Sequence, residues 1–279
     1  MKGNDSFGDE EVIIYFKNFL LAQSSIVHGI FKQGKLDERS TEIKVLVGSA
    51  CQTATAIAKL SESPNMFSAE CVVLARGFLE KVINYCYLIV CDKDEYDRFL
   101  KHTIQKSYRR LDRKIFLDGR EIRITWGTKI DTESDQVLKE ALSEFTSPGG
   151  KEKTHWTKVN LLDRIKIICD KSKLKPEPFL MHTLVIYEDA SEAIHGTLYG
   201  CSFHTGAYDP SIDKKDPKKI KENINKNLTL LLWQLGIAFH QLILLLNEKN
   251  DLKTQQATSQ KNIDSSFKLM EDLLKKRGL

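Results

Sequence analysis

The stretch "LTLLLWQLGIAFHQLILLL", residues 228–246, decides the fold: it runs for nineteen residues without an Asp, Glu, Lys or Arg. A helix of that length can cross a bilayer. Gln234, His240 and Gln241 lie within it, however, and hydrocarbon would leave their hydrogen-bonding groups without partners. The composition points to the central helix of a bundle, buried by protein on every side. A membrane-inserted helix is the alternative that the same run keeps open.

Working outward, apolar residues recur at three- and four-residue intervals along most of the chain, the period of a helix with one buried face. Residues 10–33 and 39–60 read as an antiparallel helical pair joined by "QGKLD". "SPNMFSAE" opens a third helix, with Ser68 as N-cap and Glu70 near the positive end of the dipole; it runs to about Val90. After "CDKDE" a fourth helix extends to about Lys114. "FLDGREIRITW", residues 116–126, then combines a D-G turn with the alternating Ile122, Ile124 and Trp126, the pattern of a small β-hairpin insertion. Further helices are expected at 133–146, at 158–172, after "KPEP", and from Lys218 to Asn247.

The loop "YGCSFHTGAYDPSIDKKDP", residues 199–217, has the composition of an ordered functional loop or a lid. "DLKTQQATSQKN" reads as a polar linker before a short amphipathic tail helix. The expected architecture is all-α: a helical bundle over residues 1–249 with the hairpin inserted, then a linker and a loosely attached helix over 250–279.

Composition excludes several classes. With 41% hydrophobic residues among 279, the chain can build a core without disulfides or metals. The 42 basic and 38 acidic residues nearly balance at +4, so basicity matters only where it clusters. Cys51, Cys71, Cys86, Cys91, Cys169 and Cys201 form no C-x-x-C pair, as in reduced cytosolic proteins. The acidic start "MKGNDSFGDEEV" is not that of a secretory leader, so a cytoplasmic location is expected. The seven histidines show no metal-ligand spacing, and neither a phosphate-binding glycine loop nor a G-x-S-x-G elbow is present, so no metal or cofactor is expected.

Two constellations can carry function. In "LVIYEDASEAIHG", residues 184–196, Tyr187, Ser191 and His195 stand four apart and form a polar ladder on a helix, on the face of Leu180, Leu184 and Ile194. Buried polar groups need partners. "LARGFLEKVINYCYL" supplies them: Arg76 and Glu80 flank an apolar stripe, in the order that makes the weaker exposed pair, so both are expected to engage something else. A guanidinium beside an imidazole and a hydroxyl suits a phosphate. The structural alternatives are a His195 that ends its helix before a left-handed Gly196, and an Arg76–Glu80 ion pair that bridges helices. His204 is near enough in sequence to His195 to converge on the same place.

The second constellation is basic. Lys106, Arg109, Arg110, Arg113 and Lys114 cluster around Tyr108, a pattern suited to a nucleic-acid backbone and equally to a solvated helix face. "KKDPKKIKENINK", residues 214–226, is a further basic run.

The R-x3-E of Arg76 and Glu80, a following Trp such as Trp156, and the Y-x3-S-x3-H-G that closes a later helix resemble a family of uncharacterised bacterial helical proteins, a domain of unknown function, over residues 40–245. That family looks distantly similar to the HEPN (higher eukaryote and prokaryote nucleotide-binding) bundles. The resemblance implies an all-helical, dimeric protein of a toxin or antiviral system, acting on RNA as a metal-independent ribonuclease. It would make His195 the general acid or base for attack by a ribose 2′-OH and Arg76 the group that stabilises phosphorane charge, with Ser191 or Tyr187 orienting the group transferred. The chain departs from the HEPN nuclease pattern R-x4-6-H on one helix: Arg98 and His102 have only three residues between them. A rearranged site or a structural version of the fold both remain open. Two other classes stay beside this one: a non-enzymatic interaction or regulatory subunit with a protein partner from the same system, and a membrane-active effector acting through residues 228–246.

Overall fold

A computed structural model describes residues 9–34, 36–127, 132, 134–212 and 215–276. The chain divides into two compact units, one of Met1–Val90 with Arg164–Leu279 and the other of Cys91–Asp163.

The first unit is a helical bundle built around α10 (Pro217–Asn250), the helix that contains the long apolar run. Asp216 caps it by accepting from the Lys218 amide, and Pro217 occupies a first-turn position where no amide hydrogen bond is lost. Against α10 pack α1 (Glu10–Lys32), α4 (Pro64–Val90) and α11 (Lys253–Lys275), while α3 (Lys44–Leu60) lies on α1 and α4. Phe78 and Phe239 meet edge to face at 4.8 Å in the core. Gly236 is a matter of space: a Cβ there would lie 2.1 Å from the Phe19 ring, so α1 sets an aromatic directly on the backbone of α10. Each large aliphatic or aromatic side chain buried in this way contributes about 1.5–3 kcal/mol.

By length and composition α10 passes for a membrane span, yet 83% of its apolar window is buried inside the protein. The three polar residues that interrupt it are buried. Gln234 accepts from His182 Nδ1 at 2.7 Å. His240 Nδ1 is 2.8 Å from the Ser259 hydroxyl, which donates to Gln23 at 2.7 Å; the hydroxyl proton being committed, the imidazole is the donor. Gln23 closes the chain by donating to the Ser259 carbonyl at 3.2 Å.

That network corrects the reading of the C-terminal segment. The break after α10 is only Asp251, which is left-handed at φ 51°, and Leu252, and the supposed linker is the first half of α11. Its polar composition conceals a packing face, because Ser259 and Ser266 are buried with their hydrogen bonds made to α1, α10 and α11 itself. The helix is therefore part of the bundle, and the division of the chain does not fall at 249/250.

Residues 39–60 divide into α2 (Glu38–Glu42) and α3 at Ile43, with Asp37 accepting from the Ser40 amide to start α2. Ser68 does not cap α4, which begins at Pro64; its hydroxyl donates back to the Pro64 carbonyl. After α7 (Leu161–Asp170) come α8 (Pro176–His182), a π-helical turn at Thr183–Tyr187, and α9 (Glu188–Ile194). The described part of the expected loop folds onto the bundle through a 3-10 turn at Phe203–Thr205; the His204 carbonyl accepts from Asn223 and Asn227. Asp213 and Lys214 of that loop, and residues 1–8 read for a leader, lie outside the described residues.

In the second unit α5 (Lys93–Arg110) is capped by Asp92, and α6 (Gln136–Glu144) by Asp135. Phe99 packs edge to face on Trp156 at 5.2 Å, which assigns this tryptophan to local packing. α5 ends at Arg110, short of the expected Lys114, because β1 (Asp112–Leu117) has already begun. It pairs antiparallel with β2 (Arg120–Thr125), from Asp112 opposite Thr125 to Leu117 opposite Arg120. Asp118 and Gly119 form the turn with φ of 48° and 75°, the sense that matches strand twist.

Candidate functional site

α4 turns Ala75, Phe78, Leu79, Val82 and Cys86 into the core. Beside that stripe its four-residue repeat brings Arg76, Glu80 and Asn84 into one half-buried polar row. Two elements meet this row. Tyr187, at the end of the π-helical turn, donates its phenol to Glu80 Oε1 at 2.9 Å and accepts from Arg76 Nη2 at 3.1 Å. Arg76 Nε also donates to Glu80 Oε1 at 3.3 Å, so the three side chains form a closed loop of hydrogen bonds. The guanidinium stands over the tyrosine ring, 4.2 Å from its centroid, adding a cation–π contact. One turn further on, Arg164 of α7 donates to Asn84.

Burial holds the Tyr187 phenol above its ordinary value; the hydrogen bond and charge of Glu80 act in the same sense and Arg76 opposes them. The phenol stays protonated and acts as donor to the carboxylate. Arg76 commits two of its five N–H donors to this loop and keeps 22% of its side chain exposed. The cluster can therefore both pin α4 to the π-helical turn and present guanidinium donors to an anion.

The ladder is placed differently from its helical projection. The buried residues of α8 to α9 are Phe179, His182, Ile186 and Ala190, whereas Leu180, Leu184 and Ile194 are exposed. The buried stripe, spaced three, four and four residues apart, is the one next to the apolar stripe of Leu180, Leu184 and Ile194, so the ladder runs from the flank of the buried face at Tyr187 out to solvent at His195. Tyr187 alone of the three reaches Arg76. Ser191 is half-buried; among the described residues its hydroxyl has no hydrogen-bond partner. His195 is exposed at the end of α9, where its amide bonds to the Ser191 carbonyl and Gly196 takes a left-handed φ of 65°. Arg76 and Glu80 bond to each other as well as to Tyr187, which is the helix-bridging ion pair of the structural alternative.

His204 is not joined to His195 by any contact among the described residues. Its Nδ1 is buried without a hydrogen-bond partner among the described residues, and burial lowers its pKa while the charge of Glu70 resists.

The basic cluster divides. Lys106 pairs with Glu152 at 2.6 Å, and Arg109 donates to Gln105 at 2.8 Å and Thr146 at 2.7 Å, so both are used inside the second unit. Arg110 is exposed on the last turn of α5, and Arg113 and Lys114 lie on β1 instead of the helix, with the Lys114 ammonium 5.3 Å from the Phe116 ring centroid. Adjacent strand residues face opposite ways, so these cations do not form one surface. Among the described residues, no three His, Cys, Asp or Glu side chains gather as metal ligands.

A model of a family of unknown function, DUF5677, matches residues 43–212. The chain belongs to that family. The family's stretch holds Arg76, Glu80, Asn84, Arg164 and Tyr187 together with Ser191 and His195, and it excludes α1, α10 and α11. No curated protein and no solved structure matches the chain significantly.

Asn84 and Arg164 had no place in the sequence reading. The signal was present for Asn84, which continues the Arg76–Glu80 spacing by one more turn. For Arg164 only the tertiary docking of α7 gives one.

Proposed function

We propose that this protein is an RNA-directed effector of a bacterial stress or antiviral defence system, acting as a metal-independent endoribonuclease on a HEPN-like bundle. The observation that carries the reading is the Arg76–Glu80–Tyr187 loop, which holds a partly exposed guanidinium in fixed orientation with donors to spare. Arg76 binds the phosphate and stabilises charge as the ribose 2′-oxygen, giving up its proton, attacks phosphorus and the 5′-oxygen of the next nucleotide leaves and takes up a proton, giving a 2′,3′-cyclic phosphate. Tyr187 and Glu80 keep the guanidinium in place. His195, exposed at the mouth of α9 and bound to no other side chain among the described residues, exchanges the protons at the attacking or leaving oxygen.

The test is cleavage of single-stranded RNA in EDTA by the intact chain, by His195→Ala and by Arg76→Ala, at equal folded content by circular dichroism. Loss of cleavage in both folded variants supports the assignment. Cleavage unchanged by His195→Ala, or none by the intact chain, removes it. A non-enzymatic interaction subunit is the second reading, favoured by the exposed apolar face of Leu180, Met181, Leu184 and Val185.

A further inference from the structure

The hairpin has two unlike faces, and every residue of both strands is exposed. On one face Arg123 pairs with Asp112 and Lys114 lies over Phe116, so charge and ring are internally satisfied. The register puts Ile115, Leu117, Ile122 and Ile124 together on the other face, with Arg113 and Arg120 at opposite corners and no acid. The Trp126 amide bonds to the Leu111 carbonyl at 2.7 Å, which continues the ladder by one pair and adds an exposed indole to this same face. Leu117 is 70% exposed and Ile115 64%. A two-stranded ribbon is marginally stable alone in water, and a contiguous exposed apolar patch of this kind marks an interaction surface.

The chain carries a counterpart. On α8 and the π-helical turn, Leu180, Met181, Leu184 and Val185 are exposed, Leu184 at 75%, with the exposed acids Glu177 and Glu188 at the two ends. Residues 176–200 hold four acids and no Lys or Arg in a chain of net charge +4. Arg113 and Arg120 are about 14 Å apart from strand rise and spacing; Glu177 and Glu188 are about 16 Å apart from helical rise. Both surfaces thus place four aliphatic side chains between two like charges, at matching span and opposite sign.

We propose that the apolar hairpin face of one copy docks on the α8 face of a second copy of this chain, reciprocally, in a two-fold dimer. One such contact is small against the roughly 20–30 residues a side of a stable interface. A closed dimer uses both surfaces of each copy and leaves no open end. Face-to-face packing of two hairpins would instead set arginine against arginine.

Sedimentation velocity of the full chain over a concentration series tests this. The intact chain dimerises; Arg113→Glu/Arg120→Glu and Glu177→Arg/Glu188→Arg each weaken dimerisation at least about tenfold by like-charge repulsion. Mixing the two variants in equal amounts restores the dimer, because both contacts in the mixed species again join opposite charges. Restoration also shows that each variant is folded. An intact chain that stays monomeric, a dimer indifferent to both reversals, or folded variants that fail to reassociate would each overturn the proposal, as would a monomer that pellets with phosphatidylserine vesicles, which would assign the hairpin to a lipid surface.

Discussion

The Tyr187 hydroxyl lies 2.9 Å from the Glu80 carboxylate across 107 positions of sequence, and Arg76 bonds to both. This loop joins α4 to the π-helical turn. Tyr187→Phe keeps the ring under the guanidinium but removes the hydroxyl from both bonds. The expected cost is about 1–2 kcal/mol in urea unfolding. In a double-mutant cycle, Tyr187→Phe and Glu80→Ala should couple by about 0.5 kcal/mol or more; additive losses would mean that the loop does not act as a unit.

Burial pushes His182 and His240 down to about 4 from an ordinary 6.5; the Gln234 bond resists this for His182, and Asp264 and Gln260 resist it for His240. Between those values the unfolded chain holds protons that the folded chain does not. Stability is therefore full above about pH 6.5, falls as pH drops through the window, and levels off below about pH 4. Each imidazole accounts for up to about 3 kcal/mol. Urea midpoints at about pH 7.5 and about pH 5 should differ markedly, and His182→Gln should flatten part of the slope. Equal midpoints would contradict neutral buried imidazoles.

Gly236→Ala improves helix propensity by about 1 kcal/mol, yet its methyl group would meet the Phe19 ring at 2.1 Å. Overpacking of this kind costs about 1–3 kcal/mol. Thermal unfolding should show a net loss, and the companion Phe19→Leu should recover part of it. A more stable Gly236→Ala would mean that α1 yields freely.

Ser259→Ala leaves both Gln23 and His240 without the hydroxyl they share. The expected loss is about 1–3 kcal/mol. Ending the chain after Asn250 removes all of α11 and uncovers those groups together with the Trp233 indole, which bonds to Ser266 at 3.3 Å. The shortened protein should lose its sharp unfolding transition. A transition of undiminished sharpness would return this segment to the status of an appendage.

Much of the fold was legible because its period is local. The apolar spacing of α1, α4 and α10, the break at Asp92 and the D-G hairpin turn all arise from neighbouring residues. α11 was not legible in its first half, since Ser259 looks like linker composition and only the facing Gln23 and His240 make it a packing residue. At the site, the spacing of Arg76 and Glu80 and their meeting with Tyr187 could be read. The true orientation of Ser191 and His195 could not, because Leu180 and Leu184 are as apolar as Phe179 and Ile186, and only tertiary packing decides which of the two adjacent stripes is buried. Arg109 and Lys106 looked like a nucleic-acid surface until Thr146 and Glu152, distant in sequence, occupied them.

The most direct measurement is the end chemistry of products from a single-stranded RNA of defined sequence, incubated with the intact protein in EDTA and read by mass spectrometry beside a 2′-O-methyl version of the same strand. The account predicts 2′,3′-cyclic phosphate ends, no cleavage of the 2′-O-methyl substrate, and no products from folded His195→Ala. Absence of products from the intact chain, or cleavage of the 2′-O-methyl substrate as fast as of RNA, would contradict it.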